Sequence, residues 1–193
     1  MTADNHACRL RIGRAPGIVP AMIQLALLRH AKSSWDNPDL DDFDRPLNDR
    51  GRAAAPLMGQ MLASLRFAPD VVLCSTSKRT RETLDGIAPY VANARLAAHF
   101  DDQLYLATPD TMLFCLKTAG KTAKRILLIG HNPGMHVLAT TLAQSGDPGL
   151  LARMRDKFPT AALAILSLGG ETFATMETTG GHLETYITPK DRT

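Results

Sequence analysis

The sequence predicts a three-layer α/β/α sandwich around a mostly parallel central sheet. Three observations carry this. The runs Ile23-Gln24-Leu25-Ala26-Leu27-Leu28, Val71-Val72-Leu73 (with Cys74) and Ile126-Leu127-Leu128-Ile129 are short, aliphatic and bounded by polar or turn residues. Such runs suit strands buried on both faces of a sheet. Apolar residues at helical spacing separate them, and strands alternating with helices build this layered class. The chain has 193 residues, 45% hydrophobic and 21% charged, the length and composition of one soluble domain.

Residues 1–21 hold Arg9, Arg11 and Arg14 against a single acid, Asp4, with no continuous apolar stretch, so they are not a secretory signal. They faintly resemble a transit peptide. The plainer expectation is a disordered tail, or a start codon upstream of the true one, with a single folded domain over 22–193. The first strand then covers the run after Met22. Trp35 to Asp49, rich in Asp, Asn and Pro, reads as a surface loop. Leu57, Met58, Met61, Leu62 and Leu65 repeat at helix spacing, with Asn48 as N-cap. Pro56 should kink that helix or mark where its regular part begins. Val71–Cys74 is the second strand, and residues 78–92 form a helix. Leu96–Phe100 reads as a strand, and 109–119 as a helix opened by Thr108 as N-cap and Pro109 at the first position. Ile126–Ile129 is a further strand, Pro133–Gln144 a helix. Ala161–Leu168 and Leu183–Ile187 close the chain as two strands expected to pair antiparallel across Gly169-Gly170.

The net charge of +3 places +2 in residues 1–22. The remainder is nearly neutral and offers no excess of basic residues for a nucleic acid. No apolar run approaches the ~20 residues that span a bilayer. Three cysteines, Cys8, Cys74 and Cys115, are odd in number and widely spaced. They suggest neither a disulfide framework nor a thiolate metal site, and a reducing, cytoplasmic compartment is expected.

In open α/β sheets ligands bind beyond the carboxyl ends of the strands. There the chain places Arg29-His30-Ala31-Lys32-Ser33, Ser75-Thr76-Ser77-Lys78-Arg79-Thr80-Arg81 and Gly130-His131-Asn132-Pro133-Gly134. If the strands are neighbours, two imidazoles and several guanidiniums share one crevice. Arginine's planar fork suits phosphate oxygens, and histidine can attack phosphorus. No P-loop, dinucleotide fingerprint, hydrolase elbow or metal-binding cluster is present, so no metal and no cofactor are expected.

Leu28-Arg29-His30-Ala31-Lys32-Ser33 resembles the Arg-His-Gly motif of the histidine phosphatase, or phosphoglycerate-mutase-like, superfamily. Ser75-x-x-x-Arg79-x-x-x-Thr83 is similar to its second motif and Gly130-His131-Asn132-Pro133 to its second-histidine motif. Arg-His-Ala-Lys-Ser, Asp44-Arg45-Pro46-Leu47 with Arg50-Gly51, Leu104-Tyr105 and Thr188-Pro189-Lys190-Asp191 resemble, more narrowly, its SixA-like branch, named for a phosphohistidine phosphatase. The resemblance spans about residues 22–191 and implies the phosphoglycerate-mutase-like fold. It implies His30 as a nucleophile that becomes phosphorylated, with Arg29, Arg79 and His131 around the phosphoryl group and no metal. The substrate would be phosphohistidine on a protein. Alternatives are a small phosphoester, with Asp102 as general acid, or a non-catalytic phosphate-recognition module. Ser33 is a candidate phosphate contact. Ala31 replaces the usual glycine and is tolerated if its φ is negative. Asp36 should turn into its loop, away from phosphate. The Asp36–Asp44 run is expected to be solvated.

Overall fold

The computed structural model describes residues 22–92, 94 and 97–192. The expected tail, with Cys8, lies outside them. Seven strands form one sheet in the order β3-β2-β4-β1-β6-β7-β5. They are β1 (Met22–Arg29), β2 (Val71–Ser75), β3 (Ala98–Asp101), β4 (Arg125–Gly130), β5 (Ala143–Gly146), β6 (Leu163–Gly169) and β7 (Gly181–Ile187). β1 pairs parallel with β4, β4 with β2, β2 with β3, and β7 with β5. β6 alone runs antiparallel to both its neighbours, β1 and β7. The helices are α1 (Asp49–Ser64), α2 (Lys78–Ile87), α3 (Pro109–Ala119), α4 (Gly134–Leu142) and α5 (Pro148–Asp156).

β1 shows why the chain makes three layers. Side chains alternate across a strand. Ile23, Leu25 and Leu27 enter a core with Met112 and Leu116 of α3, Leu138 of α4 and Met154 of α5. Ala26 and Leu28 enter a second core with Ala55, Met58 and Leu62 of α1 and Leu84 and Ile87 of α2. One sheet therefore carries α1 and α2 on one face and α3, α4 and α5 on the other. Each of these residues of β1, α1 and α2 is 2% exposed or less.

Several boundaries differ from expectation. The helix from residue 78 ends at Ile87 rather than 92. The helix after Pro133 stops at Leu142, and Ala143–Gly146 becomes an edge strand beside β7. α5 was not legible in the sequence because it is short and only Leu151 and Met154 of its residues are buried. The third strand begins at Ala98; Leu96 lies outside the described residues. α1 is capped by Asn48, whose side chain accepts from Gly51 N at 2.9 Å, and runs through Pro56 as one helix. The antiparallel pairing of β6 with β7 is as expected.

The topology decides where the chemistry gathers. β2, β4 and β1 are adjacent and parallel, with Arg29 opposite Gly130 and Cys74 opposite Ile129. The three segments that follow them therefore emerge side by side. Because β6 is antiparallel, the chain leading into it, residues 158–162, arrives at the same end.

Candidate active site

His30 follows β1 directly, and its backbone N donates to Gly130 O at 3.0 Å, continuing the ladder by one residue. Ala31 N then donates to Thr83 Oγ1 at 2.9 Å, so the turn is pinned to α2. Ala31 is not among the residues with positive φ, which accommodates its methyl group. His30 Nδ1 lies 2.7 Å from Ala31 O. A carbonyl only accepts, so Nδ1 carries the proton and the lone pair is on Nε2. Burial pushes the His30 pKa down to about 3, against the raising effect of the Ala31 hydrogen bond and with help from Arg79 and Arg29. The imidazole is neutral and nucleophilic at physiological pH.

His131 follows β4. Its Nε2 lies 2.9 Å from Ser75 Oγ, and its Nδ1 accepts from Arg79 Nη2 at 3.3 Å. A guanidinium only donates, so the proton sits on Nε2, facing Ser75. Burial lowers this pKa also to about 3, with charge repulsion from His30 and Arg79 adding to it. The two imidazole rings have centroids 5.1 Å apart.

Arg29 donates from Nη1 to Phe158 O at 3.0 Å. Its Nε is buried with no hydrogen-bond partner among the described residues. Burial and the neighbouring Arg79 both lower its pKa. A buried donor without a partner costs free energy. Two guanidiniums turned into one pocket with such a donor are suited to an oxyanion. Arg79 is only 3% exposed. Its Nη1 donates to Asp42 O, and its Nη2 reaches Asp42 Oδ2 at 2.8 Å.

The resulting cavity has a volume of about 260 Å³. Arg29, His30, Ser33, Arg79 and His131 all line it, so five of the residues singled out in the sequence converge. Lys32, Trp35, Asp42, Leu106, Asn132 and Thr160 complete its wall. Asp102 is not part of that wall; its Oδ1 accepts from Thr76 Oγ1 at 2.5 Å. Asp36 accepts from Ser34 Oγ at 2.7 Å, turned into its own loop as expected.

One aspartate of the solvated acidic loop has a second role. Asp42, though exposed, is also the carboxylate of the cavity wall, bridging Arg79 and Tyr105, whose hydroxyl donates to Oδ2 at 2.8 Å. Burial pulls its pKa up, but the hydrogen bonds from Tyr105 and Arg79 outweigh that and hold it below the ordinary carboxylate value. Tyr105 also stacks edge-on against His131. The pairing of Leu104-Tyr105 with the other motifs was the one sequence signal that pointed to this contact. Thr160 carried none. Trp35, 64% exposed, lies over the Arg45 guanidinium at 4.1 Å and forms part of the rim with Leu106. Among the described residues no cluster of three or more His, Cys, Asp or Glu is placed to hold a metal ion, and no helix is long and apolar enough to cross a membrane.

Comparison with known proteins follows the same lines. The profile of the Histidine phosphatase superfamily (branch 1) matches residues 25–104. An uncharacterized protein of Mycobacterium tuberculosis (strain ATCC 25618 / H37Rv) is 40% identical over 149 residues, 74% of this chain and 88% of the relative. The structure of a SixA protein from Nakamurella multipartitia, provisionally assigned as a phosphohistidine phosphatase, superposes with a TM-score of 0.75 at 30% identity, covering 88% of this chain and 98% of the other. The corresponding protein of Agrobacterium tumefaciens, assigned in the same provisional way, gives 0.68 at 30% identity over 86% and 99% of the two chains.

Proposed function

The chain belongs to the histidine phosphatase superfamily, in its SixA-like branch, and on that premise we propose that it removes phosphate from phosphohistidine on a protein through a covalent intermediate on His30. The observation that carries the reading is the His30 hydrogen bond. With Nδ1–H held by Ala31 O, Nε2 is an unprotonated nucleophile beside two arginines.

Two displacements account for the reaction. In the first, His30 Nε2 forms a bond to phosphorus as the bond from phosphorus to the substrate nitrogen breaks. The leaving imidazole keeps that electron pair and takes a proton from solvent. In the second, a water oxygen bonds to phosphorus, the His30 nitrogen–phosphorus bond breaks back to Nε2, and the water's proton passes to the phosphate. Arg29 and Arg79 stabilise the charge on the equatorial oxygens, as phosphoryl transfer requires, and His131, whose Nδ1 accepts from Arg79, helps hold that guanidinium in place.

The substrate preference rests on the leaving group. Asp42, the carboxylate in the cavity wall, is held ionised and is a poor proton donor. A departing imidazole has a pKa near ~6.5 and needs little protonation, unlike an alkoxide. The reaction as proposed needs no metal, and the two described cysteines, buried and unpaired, are compatible with a reducing cytoplasm.

The test is phosphate release from a phosphohistidine peptide and from an aryl phosphate in excess chelator. The wild-type protein should release it, and His30→Ala should lose several orders of magnitude. Equal rates in the two proteins would sink the mechanism. Acid-labile phosphate trapped on His30 would exclude a purely phosphate-recognising module.

A further inference from the structure

Two motifs of the chain, Arg50-Gly51 and Thr188-Pro189-Lys190-Asp191, have no part in the phosphoryl pocket. The fold nevertheless brings them together. A second cavity of about 160 Å³ lies beside the first, lined by Lys32, Arg50, Thr188 and Lys190 among others, and no carboxylate of the described residues belongs to its wall. Lys32 and Thr160 line both cavities, so the two share a wall at that edge.

The arrangement is built rather than incidental. Asn48 N donates to Lys32 O at 2.9 Å, and a Cβ on Gly51 would sit 2.2 Å from that same oxygen. Glycine there lets the first turn of α1 abut the Lys32 backbone, which sets Arg50 next to Lys32. Across the cavity, Asp191 Oδ2 accepts from Thr188 N at 2.7 Å and from Thr188 Oγ1 at 3.0 Å. Its Oδ1 accepts from Arg153 at 2.6 Å. The acid of the second motif is thereby occupied in holding its turn, while Thr188 and Lys190 face the cavity. Arg50 makes no ion pair among the described residues.

Resting on the phosphatase reading above, we propose that this second cavity is a subsite for a carboxylate carried by the same polypeptide as the phosphohistidine, so that the enzyme prefers phosphohistidine flanked by acidic residues. Phosphate in the first cavity and carboxylate in the second would be read together across Lys32 and Thr160.

The experiment measures binding of phosphohistidine peptides to His30→Ala protein, which keeps Arg29 and Arg79 but cannot form the intermediate. One peptide carries Asp and Glu around the phosphohistidine and the other carries Ala. An exposed ion pair to Arg50 should make the acidic peptide bind roughly two- to fivefold tighter. Arg50→Gln in the same background should abolish that preference, with thermal unfolding of the variant as the control for folding. Equal affinity of the unsubstituted His30→Ala protein for the two peptides, a preference that survives Arg50→Gln, or no binding of either peptide overturns the proposal. Failure of the phosphatase reading is separate and reads as no phosphate release by the wild-type protein from either peptide or from an aryl phosphate.

Discussion

Asp42 Oδ2 lies 2.8 Å from Arg79 Nη2, so a carboxylate from an acidic loop holds the arginine that faces the phosphoryl pocket. Arg79 is almost wholly buried and Asp42 is about half exposed, with side chains 4% and 45% accessible. The pair orients the guanidinium, and it also offsets its charge at the wall of the proposed phosphate pocket.

Removing that charge should therefore strengthen anion binding. Asp42→Asn keeps an oxygen to accept from Arg79 and removes only the negative charge. Inorganic phosphate should inhibit this variant at concentrations about three- to tenfold lower than the wild type. Inhibition constants for phosphate against an aryl phosphate substrate check this; weaker inhibition would show that orientation of Arg79 outweighs charge.

The two histidines predict an acid-sensitive fold. Burial lowers both from 6.5 to about 3. Between those values the unfolded chain protonates imidazoles that the folded chain keeps neutral, so stability falls as pH drops through that window and is unaffected above it. The loss should reach about 2 kcal/mol for each histidine by pH 5. Denaturant midpoints at pH 7 and pH 5 measure it, and a His30→Asn, His131→Asn double variant should show a flatter dependence.

Asp102 lies outside the cavity wall and accepts from Thr76. Asp102→Asn should change kcat by less than about twofold on alkyl and aryl phosphates alike. A selective loss on alkyl phosphates would restore Asp102 as the general acid.

Gly51 permits the contact between α1 and the Lys32 backbone. A Cβ there meets backbone at 2.2 Å, which no side-chain rotation relieves. Gly51→Ala should cost about 1–3 kcal/mol of stability. Thermal unfolding tests this, and an unchanged midpoint would mean that the turn after His30 yields easily.

The sequence by itself pointed to six of the seven described strands, the layers and the histidine proposed as nucleophile. Periods of two and of 3.6 residues are local properties, and both cores of β1 follow from them. His30, Arg29, Arg79 and His131 were legible because each stands within a few residues of a buried strand's carboxyl end, where α/β sheets expose their ligands. Weakly apolar elements such as α5 and β5 were not, since packing rather than pattern defines them. Tertiary structure alone decided the rest. Strand order made β2, β4 and β1 neighbours and reversed β6, which delivered Thr160 to the site. It chose Asp42 from a run of similar aspartates, because only that carboxylate comes within reach of Arg79 and Tyr105. It also joined Arg50 to Lys190, 140 positions apart in the numbering. Pairings of that kind depend on distances through space, which no local pattern of residues encodes.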